Sequence, residues 1–331
     1  MNRIKLLILF STFFWICQLT AQKSSSIKNI GKEAFDSVPS LGSVLVWHDK
    51  GLVYEQYFND ADKETVFNVK SATKSIVSAL AGIAYDKGLL PELKTPILKI
   101  LPEYASDTNG FINKLTLRDL LTMQTGFICD DFKPPTNRDL VKNTLEFAFE
   151  SAPGTNFKYC SAGSHVLGVI VAKCVKSNLK QYADTVLFNH IGVNISLWSK
   201  DALGRNMGSH ELYMKPMDMM KFGLLYLNEG KVNGKQVISK SWIIESTNEQ
   251  AKLNEWDVMP EANGYGYFWW RRITNGHQAY VASGFGGQLI CIVPDLKTVI
   301  VTTCFVNETN RGRSEIKRLH YIIDKIVKEL E

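Results

Sequence analysis

The 331-residue sequence carries few marks of a metalloprotein, a nucleic-acid binder or a membrane channel. Cysteine is sparse. With Cys17 set aside in an N-terminal apolar run, Cys129, Cys160, Cys174, Cys291 and Cys304 remain, and no two form a tight Cys-x-x-Cys pair. An odd number so spaced argues against a zinc site or a disulfide framework. One disulfide stays open, with partners the spacing does not name, and small buried side chains are the plainer reading for most of the thiols. Charge of one sign is also scarce: 38 Lys and Arg face 33 acidic residues, a formal net charge of +5. No basic run is interleaved with aromatics, so no nucleic-acid partner is expected. Repeats, low-complexity tracts and obvious linkers are missing, and no motif calls for a metal or a cofactor. What remains is an ordinary globular composition, 45% hydrophobic and 21% charged, long enough for a large core and two subdomains.

The N-terminus departs from that pattern. Arg3 and Lys5 precede an apolar stretch from Leu6 to about Leu19, followed by Thr20-Ala21-Gln22-Lys23. This is the pattern of a secretory signal peptide over residues 1–21 with cleavage after Ala21. The run is short for a membrane span, and none is expected after cleavage. Trp15-Ile16 are too bulky for the small-residue site that lipidation of Cys17 requires. Loss of Arg3 and Lys5 lowers the net charge from +5 to +3. A periplasmic or secreted protein is the expectation.

Both ends of the remaining chain read as sheet. Val44-Leu45-Val46-Trp47 and Leu52-Val53-Tyr54 flank the turn Asp49-Lys50-Gly51, and a matching pattern runs from Gln288 to Val293 and from Thr298 to Phe305 before a final amphipathic helix. Helical spacing dominates between them, over Leu115–Met123, Leu140–Phe149, Ser164–Lys173 and Pro216–Leu227. The pattern predicts an α/β (α+β) fold: an antiparallel sheet formed by N- and C-terminal segments, flanked by helices, with a mostly helical subdomain inserted. The sheet subdomain takes residues of about 22–88 and 255–331, the helical one about 89–254. The loop Asp130 to Arg138, with Pro134-Pro135, is placed to border a cleft.

Ser-x-x-Lys occurs four times, at Ser25, Ser71, Ser177 and Ser314. On a helix that spacing puts hydroxyl and amine on one face, as a serine nucleophile needs if lysine is to take its proton. Context separates the copies. Only Ser71 follows a strand-like segment, Thr65 to Val69, and opens a helix of buried residue types, Ile76 through Ala84, which Gly88 ends. A Ser/Lys pair also needs a group to pass the proton to the leaving group and donors for the oxyanion. Tyr159-Cys160-Ser161, after the turn Pro153-Gly154 and before a helix, offers the relay. A structural role is the plainer reading of such a tyrosine in isolation, since Tyr57, Tyr104 and Tyr226 share its local pattern. Ser283-Gly284-Phe285-Gly286-Gly287-Gln288, between two strand-like runs, allows close backbone approach, though a plain hairpin turn would read the same way.

In this order the three elements resemble the serine β-lactamase/penicillin-binding-protein superfamily, nearest to the branch of class C β-lactamases, esterases and 6-aminohexanoate-dimer hydrolases. The stretches Leu120 to Gly126, Met214 to Gly223 and Gly264 to Trp270 add to the likeness, which runs from about residue 40 to the C-terminus. The resemblance implies a β-lactamase/transpeptidase-like fold and an acyl-enzyme on Ser71. Lys74 and Tyr159 would share general base and acid work, and the backbone N–H groups of Ser71 and Phe285 would bind the oxyanion. Ser161, where the family often has asparagine, would touch substrate or Lys74, and Ser283 and Gly284 would line the substrate. Trp269 and Trp270 are candidates to wall an apolar acyl pocket, although core packing is the commoner fate of such aromatics. One departure bears on the substrate. The third motif usually begins with Lys or His, whose charge helps to hold a carboxylate, and Ala282 stands there. Arg271, Arg272 and His277 are the nearby replacements in sequence, though a surface position is the plainer reading of each. The expectation is a serine hydrolase of small, uncharged esters or amides. A β-lactamase or DD-peptidase with its anchor elsewhere is the first alternative, and a non-catalytic binding module of the same fold the second.

Overall fold

The computed structural model describes residues 25–105, 110–129, 135–253, 259, 261–306 and 313–331. The expected signal peptide and Cys17 lie outside them, as do residues 130–134 of the loop expected to border a cleft. A seven-stranded antiparallel sheet is built from both ends of the chain. Its strands are β1 (Leu41–His48), β2 (Gly51–Tyr57), β3 (Ala262–Tyr265), β4 (Trp270–Thr274), β5 (His277–Gly284), β6 (Gln288–Val293) and β7 (Thr298–Cys304), in spatial order β2-β1-β7-β6-β5-β4-β3. β1 joins the two ends by pairing with β7, where Ser43 and Thr303 share a buried 2.7 Å hydroxyl hydrogen bond.

Every residue of β6 and β7 is buried, because helices cover both faces. On one face Gly223 of the helix Pro216–Leu227 lies so close that a Cβ there would sit 2.6 Å from Val299 and 2.9 Å from Ile290. On the other, the helix Arg313–Leu330 brings Asp324 to Arg272 of β4 at 2.7 Å. That helix also ties to a helix over residues 25–37 through the Lys325–Glu33 ion pair.

The helix Thr73–Asp86 is buried from Thr73 to Ala84, as its run of apolar and small residues requires, and Gly88 takes the left-handed conformation (φ 67°) just after its end. Two expected helices are shorter than their periodicity. Leu115–Met123 reduces to Leu117–Leu121, because Met123 turns left-handed (φ 56°) and Gly126 follows (φ 76°). Leu140–Phe149 reduces to Leu140–Leu145, because Phe147 and Phe149 leave the helix to pack on Phe127, and Phe149 bridges to it. Conversely the helix after Tyr159 is longer, Ser161–Cys174.

Candidate active site

Ser71 sits in a single 3₁₀ turn, Lys70–Ala72, rather than in the first α-helical turn. The turn is bracketed on both sides. Val69 N–H donates to the Leu212 carbonyl at 2.9 Å, Lys70 N–H to Asn68 Oδ1 at 2.9 Å, and Thr73 Oγ1 to the Lys70 carbonyl at 2.7 Å. These bonds hold Lys70 in a left-handed conformation, φ 50°, which a non-glycine residue keeps only where its surroundings over-determine it. One turn on, Lys74 is 2% exposed, and its Nζ donates to Ser71 Oγ at 3.0 Å and to the Ser209 carbonyl at 2.9 Å. Nζ also lies 4.9 Å from the centre of the Tyr159 ring. The expected nucleophile, amine and phenol are therefore together.

Tyr159 is placed by backbone and ring contacts. Lys158 N–H donates to the Met123 carbonyl at 2.8 Å and Gly154 N–H to the Gln124 carbonyl at 2.8 Å, so the Leu120–Gly126 stretch carries the tyrosine loop. Cys160 is disulfide-bonded to Cys129, which fixes the residue next to the phenol and names the pair that spacing left open. Cys291 and Cys304 are buried thiols and Cys174 a half-buried one, as the plainer reading had it. Ser161, half-buried, opens the helix Ser161–Cys174.

Ser283 and Gly284 end β5 against the Ser71 turn. A Cβ on Gly284 would lie 2.2 Å from the Val69 carbonyl oxygen, so only glycine permits this approach. Phe285 follows at the surface, 42% exposed. Segment 264–270 is stitched to the same helix: Ser75 Oγ donates to the Phe268 carbonyl at 2.7 Å, with Phe268 left-handed at φ 61°.

Of the two tryptophans offered as pocket walls, Trp269 takes the commoner fate and packs in the core. It is wholly buried, against Tyr226 at 4.5 Å and Phe222 at 6.1 Å between ring centres, because the bend at Phe268 turns it into the core. Its neighbour Trp270 stacks on Tyr159 instead, at 5.7 Å and 16°. The three nearby cations are committed elsewhere. Arg272 is fully buried on Asp324, Glu261 and His320; Arg271 donates to the Thr247 carbonyl and Gln278; His277 pairs with Asp295 and Glu331. Ala282 is fully buried.

Sequence reasoning missed Ser209, His210 and His165. Ser209 supplies the carbonyl on Lys74, a backbone role with no sequence signal. His210, its Nδ1 2.6 Å from Ser209 Oγ, is pushed down to about 4, by burial first and then by the Lys74 charge, so it is neutral near pH 7. His165 lies one turn after Ser161 on the same helix face, a spacing that was legible. Surface grooves elsewhere, one lined by Leu224, Asn228 and Val232 and one by Trp242, Tyr267 and Glu245, contain none of these groups.

The comparisons agree with this fold. The Beta-lactamase family model matches residues 39–325. An uncharacterized protein of Alkalihalophilus pseudofirmus is 25% identical over 325 residues, spanning 86% of this chain and 89% of its own. Among solved structures, a putative 6-aminohexanoate-dimer hydrolase from Bacillus anthracis superposes with a TM-score of 0.74 at 23% identity, over 90% of this chain and 82% of that one. A putative beta-lactamase from Bacteroides dorei gives 0.78 at 16% identity, over 92% and 98%. At these identities the structures share the fold, and the family model covers nearly the whole described chain. The protein belongs to the Beta-lactamase family.

Proposed function

We propose that the protein is an exported serine hydrolase that cleaves small esters or amides through an acyl-Ser71 intermediate. The observation that carries the reading is the buried Lys74, its Nζ held 3.0 Å from Ser71 Oγ and 4.9 Å from the ring centre of the half-buried Tyr159. Ser71 Oγ attacks the substrate carbonyl carbon and loses its proton to the Lys74–Tyr159 pair. The carbonyl oxygen takes the negative charge between the N–H groups of Ser71 and Phe285. Collapse expels the alcohol or amine, which takes back the proton, and water then repeats the attack on the acyl carbon to free Ser71.

Substrate preference follows from what surrounds the pair. Ala282 offers no charge, Arg271, Arg272 and His277 are tied to other partners, and His210 is neutral near pH 7. That favours an uncharged substrate over one anchored by its carboxylate. Export is supported by the N-terminal pattern of residues 1–21 and by the Cys129–Cys160 disulfide, which suits an oxidising compartment.

A fluorophosphonate probe followed by peptide mapping tests the chemistry. The label is expected on Ser71 and lost in Ser71→Ala; a label on another residue, or none with any acylating probe, refutes it. Nitrocefin tests the substrate class, and rapid turnover would overturn the preference for esters and amides.

A further inference from the structure

We propose that His165 is a positioning residue of this site, holding the Ser209 carbonyl on the Lys74 amine through the backbone of Gly208; the proposal rests on Ser71 being the nucleophile. Gly208 lies directly on the helix Ser161–Cys174. A Cβ on Gly208 would be 2.8 Å from the Ser164 carbonyl oxygen, and one on Gly168 would be 2.9 Å from the Gly208 Cα. In this close approach Gly208 N–H donates to His165 Nδ1 at 3.1 Å. An N–H only donates, so Nδ1 carries no proton and the ring proton sits on Nε2, which faces Asp201 Oδ2 at 3.2 Å. The His165 and Asp201 side chains are 2% and 0% exposed.

Asp201 is itself fixed. It accepts the backbone N–H groups of Leu203 and Arg205 at 2.9 Å each and Arg205 Nε at 2.7 Å. Burial opposes its charge, but the bonds from His165 and Arg205 outweigh that and hold the carboxyl well below its ordinary range. Arg205 continues to Asp139 at 2.7 Å, the residue that caps the helix Leu140–Leu145. A partly buried chain of charged groups thus runs from that helix to one imidazole nitrogen, and the other nitrogen holds the 207–208 peptide, two peptide units before the one that carries the Ser209 carbonyl. Without that acceptor, Gly208 N–H is buried unpaired and the 207–209 backbone is released from the position that directs the Ser209 carbonyl to Lys74. The amine then loses one of its two oxygen partners among the described residues and is no longer held beside Ser71 Oγ.

The test compares His165→Gln with His165→Asn. Asparagine places an oxygen near the site of Nδ1 and keeps the bond from Gly208; glutamine reaches toward Asp201 and loses it. The readouts are the rate of Ser71 labelling by a fluorophosphonate, kcat and KM on a p-nitrophenyl ester, and the melting temperature of each variant. For His165→Gln, kcat and labelling are expected to fall about 10- to 100-fold with KM within about twofold, and His165→Asn is expected to recover most of the loss. Equal losses in both variants, or losses that track melting temperature, overturn the proposal. If either histidine variant fails to fold, Arg205→Met, at a side chain 21% exposed, is expected to lower kcat selectively, and an unchanged kcat there counts against the chain. Wild-type protein labelled no more than Ser71→Ala refutes the nucleophile and this proposal together. A labelled wild type with unaffected His165→Gln refutes the positioning role alone.

Discussion

Gly284→Ala isolates the contact between the third motif and the nucleophile turn. The new Cβ would lie 2.2 Å from the Val69 carbonyl oxygen and 2.9 Å from Gln288 Cβ, where ordinary contact begins at 3.4 Å. The Val69 obstacle is backbone, so the gap closes only if the end of β5 or the Lys70–Ala72 turn moves by about 1 Å. The turn is held by Leu212, Asn68 and Thr73, and β5 by its ladder to β6, so neither moves freely. The displacement separates the Ser71 and Phe285 N–H groups that are to share the oxyanion. Loss of one such donor costs about 100- to 1000-fold in kcat, whereas overpacking of this kind costs about 1–3 kcal/mol of stability. The expected result is thus a folded protein with kcat on a p-nitrophenyl ester reduced about 100-fold or more. Gly51→Ala is the control, because a Cβ there meets nothing within 4 Å and the backbone needs no left-handed angle. A Gly284→Ala variant with control-like kcat would show that Phe285 is not an oxyanion donor. A variant that loses activity only in proportion to its folded fraction would refute the steric argument.

Three further outcomes follow from the packing. Reducing Cys129–Cys160, which spans a separation of 31 residues, is expected to lower unfolding stability by about 3–4 kcal/mol, and an unchanged urea midpoint under reductant would contradict it. Trp269→Ala is expected to cost about 3–5 kcal/mol, read as a lower melting temperature, because the ring is core and not cleft; a stable variant with altered substrate preference would reverse that assignment. Burial, and then the charge of Arg272, pushes His320 down to about 3 from an ordinary 6.5, with Asp324 and Glu261 facing the same guanidinium. Between these values the unfolded chain binds a proton that the folded chain does not. Stability is therefore lost as pH falls through that window, at up to about 1.4 kcal/mol per pH unit from this group. His320→Gln is expected to flatten the acid limb of stability against pH, and an unchanged slope sinks the assignment.

The sheet was legible because its signals are local. Hairpin turns and β-branched runs at both ends name the strands, and β1 and β2 stand where the turn Asp49-Lys50-Gly51 puts them. Ser71, Lys74 and Tyr159 were legible through spacing and motif order. The failures share a cause: each depends on a backbone conformation that a residue pattern does not encode. Met123 and Phe268 turn left-handed without being glycine, one cutting a helix short and the other sending Trp269 inward while Trp270 meets Tyr159. The Ser209 carbonyl is a backbone atom, so no side-chain pattern announces it, and the fate of Arg272 depends on a helix some 50 residues away. The disulfide was undecidable because five cysteines give no preferred pairing by spacing alone.

The deviations at the site are consistent with one another. A Beta-lactamase family chain with the Ser71–Lys74–Tyr159 cluster but with Ala282 where the resemblance calls for a cation holds the groups that the proposed acyl transfer needs and lacks one means of holding a carboxylate. Had an anchor simply migrated, a nearby cation should be poised without a partner. Instead Arg271, Arg272 and His277 each engage structural partners, and His210, which feels the Lys74 charge, is kept neutral near pH 7. Lys70, the cation next to Ser71, leans on Glu211 at 3.5 Å, and Glu211 is fixed in turn by Asn68 at 2.8 Å. A substrate carboxylate approaching Ser71 thus meets a carboxylate already seated on the adjacent lysine. Electrostatics near the nucleophile and the missing charge at Ala282 point the same way, toward a neutral acyl donor.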